Sequence, residues 1–362
     1  MSVTQPEEGA RRDLHARWPR GLWIWVALGA LVGGVVGAVV AHSFWSEPDV
    51  TAATCTATAV ADEAVPSVVT IEVAGSSAGA ASTGSGEFYR PGGYILTNNH
   101  VVTGAARGAA MEVVLSDGQR VPATLVGRDP LTDLAVVRAP EAQSPQVIAL
   151  GSSADLVVGQ PVVVVGAPLG LSNSVTSGIV SALARTIQVP GGGTSQNALL
   201  VDAIQTDAAI NPGNSGGAMV DCSGQLVGIP TAGAAVPGSS GGSIGLGFAI
   251  PVDIARTIAD ELIAHGHVSH ASFGMAAVPV TGPAAQRRGL PEGLYVTSVQ
   301  AGGPAATAGL RVGDVITEIE GEPATSVDQL VELTITRKAG DTVHLTYVRA
   351  GQSRQVTVTL GS

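Results

Sequence analysis

Aromatic and charged residues are both scarce in this 362-residue chain, at 3% and 13% of the sequence. With so few aromatic side chains, the interior must be packed mainly with Val, Ile, Leu and Ala. The 48 glycines are typical of many short strands joined by tight turns. The composition therefore predicts a mainly β architecture, and the length is sufficient for two or three domains.

Positive charge is also in short supply, since the formal net charge is −11 and the isoelectric point is about 5.0. Seventeen of the 18 basic residues are arginine, and they are scattered along the chain rather than clustered. Binding to nucleic acid needs a basic surface that displaces the counterions of the phosphates. The sequence therefore excludes nucleic acid as a partner.

Charge is absent altogether from the 21 residues Gly21 to Ala41. As a helix this stretch would be about 30 Å long, which matches the hydrocarbon core of a bilayer. Charged residues flank it on both sides: Arg11, Arg12, Arg17, Arg20, Glu47 and Asp49. The positive-inside rule then predicts a cytoplasmic tail over 1–20, a single membrane span over 21–41 and an extracytoplasmic remainder. A cleavable signal peptide ending at Ala41 is the alternative, and it predicts the same compartment.

Cysteine is nearly absent as well, since Cys55 and Cys222 are the only two in the sequence. Both follow the apolar stretch, and so lie on the oxidising side of the membrane, where disulfides persist. A disulfide between them would link the segment that follows the predicted membrane span covalently to the folded domain. Two free thiols are the alternative, because the sequence gives no distance between the two side chains.

The remainder of the chain divides into four segments. An Ala/Thr-rich linker occupies 42–63, and a β-rich domain follows over 64–264. Residues 265–270 are predicted to be a hinge, and 271–361 a second domain. Short β-prone runs recur through the first domain, at 67–73, 94–96, 112–115, 134–137, 161–166 and 226–229.

A change of period marks the end of the first domain. Apolar residues of 252–264 recur at helical spacing, which predicts a helix. Asp253 is predicted to cap its first turn.

The strongest chemical signal is the run Gly213-Asn214-Ser215-Gly216-Gly217. A serine that attacks a carbonyl needs main-chain N–H groups aimed at the developing oxyanion, and flanking glycines let the chain turn tightly enough to aim them. The N–H groups of Gly213 and Ser215 would form this oxyanion hole. In a chain so rich in glycine and serine the run also fits an ordinary loop, so the assignment depends on its partners.

The partners needed are a base and a carboxylate. His100 is the one histidine between residues 43 and 264, so it is the candidate base. Asp133 abuts an apolar strand, where an unpaired carboxylate is costly to bury, so it is the candidate that orients the His100 ring. Four other aspartates are alternatives: Asp129, Asp155, Asp202 and Asp207. Of these, Asp129 is predicted to be a turn residue and Asp155 an exposed one.

Three segments together resemble the HtrA/Deg family of trypsin-like serine proteases, of which DegP and DegS are members. They are 94–102 around His100, 132–136 around Asp133 and 205–217 around Ser215. The resemblance extends over about 64–360. It implies two six-stranded β-barrels with the triad between them, endoproteolysis through an acyl-enzyme, no metal or other cofactor, and often a homotrimer.

Two positions depart from the family pattern. Glu87 stands where the family usually has an apolar residue, which leaves the register of its strand open, and Ala218 replaces a frequent proline. The specificity pocket also differs from that of relatives that cut after Lys or Arg. The position six residues before the serine is Ala209, followed by Ile210, instead of an acidic residue. A small or aliphatic side chain is therefore predicted before the scissile bond.

The second domain resembles a PDZ domain at 272–275, 293–296 and 303–316. The resemblance implies an α+β fold in which N–H groups hold the terminal carboxylate of a peptide that adds as a strand. The residues concerned are Phe273, Gly274 and Met275. On the residues alone, Phe273 and Met275 are equally typical of a core. Ser326 and Gln329 predict a capping box at the start of a helix.

The sequence therefore predicts a membrane-anchored serine endopeptidase that cleaves misfolded or regulatory extracytoplasmic proteins, in protein quality control or a stress response. Two alternatives stay open. One is a non-catalytic chaperone or scaffold that keeps the fold for binding, and the other is a protease with a single substrate in envelope stress signalling.

Overall fold

The computed structural model describes residues 55–75, 81–140, 142, 145–167, 174–190, 197–233 and 242–362. The predicted cytoplasmic tail and the predicted membrane span lie outside these residues. In the part that is described, no helix is both long enough and apolar enough to cross a bilayer.

The described chain begins with helix α1, Ala57–Ala64, and a 3₁₀ turn, Val65–Ser67. Residues 57–63 were predicted to belong to a linker and instead form most of this helix. The helix is stabilised by packing, because Val60 and Ala64 are buried against a core that both barrels share. A disulfide between Cys55 and Cys222 ties the start of the helix to the turn after β10.

A closed six-stranded barrel follows, with strand order β1-β2-β3-β6-β5-β4. Its strands are β1 (Val68–Val73), β2 (Ser82–Arg90), β3 (Tyr94–Asn98), β4 (Met111–Val114), β5 (Arg120–Asp129) and β6 (Leu134–Arg138). A short 3₁₀ turn, Ala105–Arg107, lies between β3 and β4. Valine, isoleucine and alanine dominate the interior, with Phe88 as its buried aromatic ring. Strands β3 and β6 are antiparallel neighbours, so the end of β3 lies beside the start of β6.

A second closed barrel has strand order β10-β11-β12-β9-β8-β7. Its strands are β7 (Pro161–Gly166), β8 (Ser174–Val189), β9 (Ala198–Thr206), β10 (Ala218–Val220), β11 (Leu226–Gly233) and β12 (Gly247–Pro251). The connection from β9 to β10 carries the glycine-rich run around Ser215. One buried cluster, which includes Leu96 and Val165, contains residues of both barrels. The site between the barrels therefore rests on a continuous core.

Helix α2, Val252–His265, closes the first domain and packs on strands of both barrels. The prediction that Asp253 caps this helix is wrong, because the cap position is Pro251 and no side chain caps the helix. The carboxylate of Asp253 instead accepts hydrogen bonds from the N–H and hydroxyl of Ser153 and from the N–H of Ala154. These bonds lower the pKa of Asp253 in spite of its partial burial.

The C-terminal domain is an antiparallel sheet with strand order β13-β14-β15-β17-β18, and β16 pairs with β15. Its strands are β13 (Met275–Val280), β14 (Gly293–Val299), β15 (Val315–Ile319), β16 (Glu322–Pro323), β17 (Thr342–Arg349) and β18 (Gln352–Thr359). Its helices are α3 (Gly282–Arg288), α4 (Pro304–Thr307) and α5 (Asp328–Thr336). Strand β13 pairs with β14 alone, so one of its edges is left without a strand among the described residues.

The start of α5 resembles a capping box only in part. The side chain of Gln329 accepts the N–H of Ser326, as predicted. The hydroxyl of Ser326, however, accepts the N–H of Asp328 rather than that of Gln329.

Candidate active site

His100 and Asp133 meet because one follows the end of β3 and the other precedes the start of β6, and these two strands are antiparallel neighbours. The chain leaves β3 through Asn98 and Asn99, and both residues bind the main-chain oxygen of Asp133, at 2.9 and 3.0 Å. These two hydrogen bonds fix the turn that carries the histidine against the turn that carries the aspartate. The polar residues after β3, which the sequence places at a strand end, thus hold the two turns together.

The carboxylate of Asp133 is fully buried, and both of its oxygens accept hydrogen bonds. One oxygen, Oδ2, lies 2.8 Å from Nδ1 of His100, and the other accepts the His100 N–H at 3.0 Å. The hydroxyl of Thr231 also donates to Oδ2, at 2.6 Å. Each of these three donors satisfies a polar atom that would be costly to bury without a partner. Asp133 adopts a φ of +59°, a backbone conformation in which aspartate is enriched.

Ser215 lies across from this pair on the loop between β9 and β10. Its hydroxyl donates to the main-chain oxygen of Thr231 at 3.0 Å rather than to His100. Thr231, on β11, therefore contacts Asp133 through its side chain and Ser215 through its carbonyl. Thr231 of the second barrel thus connects Ser215 to the pair formed by His100 and Asp133, although the serine hydroxyl is not bonded to the imidazole.

The loop around Ser215 turns at two glycines in the left-handed region, Gly213 at φ +104° and Gly216 at φ +80°. Three of its N–H groups are bonded to carbonyls nearby, those of Asn214, Gly216 and Gly217. Within the described part of the chain, the N–H groups of Gly213 and Ser215 meet no such acceptor. These are the two groups that the sequence predicts to form an oxyanion hole.

The other aspartates that the sequence left open lie elsewhere. Asp155 and Asp202 are exposed, and Asp207 accepts the N–H of Ile179 at 2.7 Å. Asp129 is not a plain turn residue, because it is buried at the end of β5 and binds His270. Asp133 is therefore the aspartate of this set that contacts His100.

The predicted pocket residues differ in their surroundings. Ala209 is half-buried, and its carbonyl accepts the hydroxyl of Thr176 and the amide of Asn214. Ile210 is buried at 3% exposure, with its side chain against Gly247 of β12. Ile210 therefore supports the wall of the second barrel, and the pocket that Ala209 would line stays a prediction.

Comparisons with known proteins identify both domains and the family. A family model described as a trypsin-like peptidase domain matches residues 84–229, and a PDZ domain model matches 271–360. The chain is 40% identical over 295 residues to the serine protease Do-like HtrA of Lactococcus lactis subsp. cremoris, covering 77% of this chain and 70% of that protein. The chain belongs to the HtrA family of trypsin-like serine proteases.

Other members of the HtrA family are similar over comparable lengths. The serine protease PepD of Mycobacterium tuberculosis is 47% identical over 313 residues, which cover 83% of this chain and 65% of PepD. The match to a probable periplasmic serine endoprotease, DegP-like, of Halomonas elongata covers only 56% of that protein. The chain thus spans less than two thirds of the length of these two relatives. Among solved structures, the HtrA-type protease AlgW with decapeptide superposes with a TM-score of 0.66 and 33% identity, over 84% of this chain and 98% of AlgW.

The carboxylate-binding loop that the PDZ resemblance predicts precedes the edge strand β13. Phe273 is buried in the core of its domain, so its side chain is structural. The N–H of Gly274 donates to the hydroxyl of Ser272 at 3.0 Å, and Met275 begins β13. A peptide carboxylate would therefore replace the Ser272 hydroxyl at Gly274. Carboxylate binding by these N–H groups stays a prediction.

Polar contacts join the PDZ domain and the segment before it to the two barrels of this HtrA-family chain. Nε2 of His270 lies 2.8 Å from the carboxylate of Asp129, and Gln188 on β8 donates to Asp328 of α5 at 2.6 Å. Asp129 also accepts the hydroxyl of Thr132, next to Asp133. The PDZ domain is therefore linked to the turn that carries the aspartate of the site.

The contact between His270 and Asp129 is expected to depend on pH. Burial lowers the pKa of His270, but the hydrogen bond to Asp129 and the negative charges of Asp129 and Glu261 outweigh it, so the pKa is raised. A raised folded-state pKa means that the protonated pair stabilises the protein fully below pH 6.5 or so, and that this contribution is lost as the pH rises through the folded pKa.

We therefore expect His270→Gln to lower the free energy of unfolding by about 1 kcal/mol at pH 5.5, because glutamine can donate a hydrogen bond to Asp129 but carries no charge. The difference from wild type should shrink at pH 8.5. Urea unfolding at both pH values measures it. His267→Gln is the matched control, since His267 is exposed and, among the described residues, lies against the carbonyl and the ring of its neighbour His265 rather than against a carboxylate. A loss that is equal at the two pH values would contradict an ionised pair.

Proposed function

We propose that this HtrA-family chain is a serine endopeptidase in which Ser215 is the nucleophile, His100 the general base and Asp133 the residue that orients the base. The observation that carries the proposal is the contact of His100 Nδ1 with Asp133 at 2.8 Å. This contact places the proton of the neutral ring on Nδ1 and leaves Nε2 free to accept one. Family membership supports the same assignment.

Catalysis requires one change in the site. The Ser215 hydroxyl must exchange its bond to the Thr231 carbonyl for one to Nε2 of His100. His100 then takes the serine proton as the oxygen attacks the peptide carbonyl, and returns it to the leaving amine. Water releases the acyl group by the reverse sequence. The N–H groups of Gly213 and Ser215 would hold the oxyanion at both stages.

The substrate assignment rests on both domains. The small Ala209 in the predicted pocket supports cleavage after small or aliphatic residues. The free edge of β13 supports capture of an extended peptide as an added strand, with its terminal carboxylate at Phe273, Gly274 and Met275. Misfolded proteins with accessible termini fit these two sites, in quality control or a stress response.

The cellular setting is proposed from the sequence and the relatives. A single span over 21–41 would anchor the chain, with the protease domain (64–264), the hinge (265–270) and the PDZ domain (271–361) outside the cytoplasm. Relatives named as periplasmic proteases support that side of the membrane. A homotrimer is proposed from the family resemblance alone.

A fluorophosphonate probe tests the nucleophile directly, because it reacts with a serine activated by a base. We expect the full-length protein in detergent to be labelled on the peptide that contains Ser215, and Ser215→Ala to be unlabelled. Ser223→Ala, in an exposed turn, is the matched control and should label as wild type does.

Digestion of unfolded casein by the same three proteins tests the non-catalytic alternative. Digestion that persists in Ser215→Ala would refute the proposed nucleophile. A wild type that neither labels nor digests casein would favour the non-catalytic scaffold.

A further inference from the structure

Ser85 on β2 contacts the nucleophile loop twice from the opposite barrel. Its hydroxyl donates to the main-chain oxygen of Gly213 at 2.6 Å, and its N–H donates to the main-chain oxygen of Ser215 at 2.9 Å. The residue is fully buried. Two of the three carbonyls from 213 to 215 are thus held by one residue that lies 128 positions before Gly213 in the sequence.

The same hydroxyl also accepts the N–H of Ala167 at 2.8 Å. Ala167 directly follows β7, so Ser85 joins a third segment to the nucleophile loop. One hydroxyl therefore donates once and accepts once. Loss of the oxygen would leave the partly buried Gly213 carbonyl and the buried Ala167 N–H without this partner.

Ser85 is tied to the strand of the general base as well. The hydroxyl of Thr97, three residues before His100, donates to the main-chain oxygen of Ser85 at 2.6 Å. Gly216 packs against the same point, where a Cβ atom would overlap Thr97 and the Ser85 oxygen. The strand that precedes the base and the loop of the nucleophile are therefore both hydrogen-bonded to Ser85.

The nucleophile loop needs such an external support. Gly213 is a glycine in the left-handed region, and glycine has the weakest intrinsic preference for any one backbone conformation. The peptide after Gly213 is held by Ser85, and the peptide after Asn214 by the N–H of Gly217. Because both peptide planes are held by hydrogen bonds, the direction of the Ser215 N–H is fixed as well.

We propose that Ser85 is a positioning residue for the reaction: its side chain fixes the Gly213 carbonyl and thereby helps to aim the N–H of Ser215 at the oxyanion. The proposal rests on the proposed function and adds a residue from the first barrel to the machinery of the second. Because the oxyanion forms only during the reaction, the contribution of Ser85 is to the transition state rather than to substrate binding.

Ser85→Ala tests the proposal in the full-length protein. We expect kcat on a fluorogenic peptide to fall about 10- to 100-fold with KM within about twofold, since removal of a whole oxyanion donor costs about 10²- to 10³-fold. The affinity for a peptide boronate, which forms a tetrahedral adduct with the serine, should fall by the same factor as kcat/KM. A merely structural role would not couple these two quantities.

Ser82→Ala is the matched control, because it removes a hydroxyl of the same strand that binds the Val101 carbonyl, away from the loop. It should keep the wild-type kcat. If Ser85→Ala does not fold, Ser85→Cys, which keeps a weak donor at this point, should show an intermediate kcat. The positioning role is overturned if folded Ser85→Ala, or Ser85→Cys in its place, keeps wild-type kcat or loses activity through KM alone.

The two proposals fail in different ways. Loss of the positioning role alone leaves a wild type whose Ser215 is labelled by the fluorophosphonate and a Ser85→Ala variant labelled at the same rate. Loss of the proposed function leaves the wild type itself unlabelled.

Discussion

Replacing Asp133 with asparagine is expected to lower kcat on unfolded casein by about 10⁴-fold at pH 7.5, the size of effect that follows when the third triad member loses its charge. The carboxylate can accept a hydrogen bond from His100 Nδ1–H but cannot donate one, so it selects the tautomer whose Nε2 is a base. An amide in its place can donate to Nδ1 and so select the wrong tautomer. It also lacks the negative charge that stabilises the imidazolium.

Asparagine has the shape of aspartate and keeps one oxygen for the His100 N–H, while the Thr231 hydroxyl loses its acceptor, so we expect the protein to fold with some loss of stability. Steady-state kinetics together with the urea unfolding curve separates a loss of catalysis from a loss of structure. Asp155→Asn is the matched control: it removes one negative charge from an exposed position and should leave kcat unchanged. An Asp133→Asn protein with more than about a tenth of wild-type kcat would refute the role given to this carboxylate.

The three proposed catalytic residues were accessible from the sequence because each is unusual in its surroundings. His100 is the one histidine of its domain, and Asp133 is an ionisable group beside an apolar strand. An unpaired ionisable group beside an apolar strand costs free energy to bury, and a catalytic role explains why it is present. Strand β7 was bounded correctly at Pro161–Gly166 for a similar reason, since a continuous valine run admits few other structures.

Thr231 and Ser85 were missed because a hydroxyl on a strand carries no such signal. Their partners lie 98 and 128 positions away in the sequence, and the contacts exist only once the two barrels pack together. Helix α1 was missed for a related reason. An eight-residue helix is not stable alone, and it forms here because Val60 and Ala64 are buried and Cys55 is bonded to Cys222.

Glu87 is the residue at which the sequence conflicts most clearly with the fold. Its strand register is regular, since it pairs with Val68 on one side and Leu96 on the other. Both neighbours belong to the cluster that the two barrels share, which also contains Val165 of β7. The carboxyl of Glu87 is fully buried on this face, and neither of its oxygens has a hydrogen-bond partner in the described residues.

Burial raises the pKa of Glu87 well above its ordinary value. A group whose pKa is raised by folding favours the folded state below its unfolded pKa, near 4.3, and loses that contribution as the pH rises toward the folded value. Within this window the free energy of unfolding should fall by about 1.4 kcal/mol for each pH unit, because the unfolded chain releases a proton that the folded chain keeps.

Glu87→Gln should abolish this dependence, because an amide of the same shape has no proton to release. Urea unfolding of both proteins at half-unit steps from pH 5 to 9 measures the effect as a difference, in which His270 and the other titrating groups cancel. We expect the stability of the variant relative to wild type to rise with pH until the folded-state pKa of Glu87 is reached. Glu112→Gln, a β4 residue with a side chain 54% exposed, is the matched control and should show a constant difference. If the Glu87→Gln difference is also constant, Glu87 ionises in the fold as it does in water, and the space between the barrels must admit solvent.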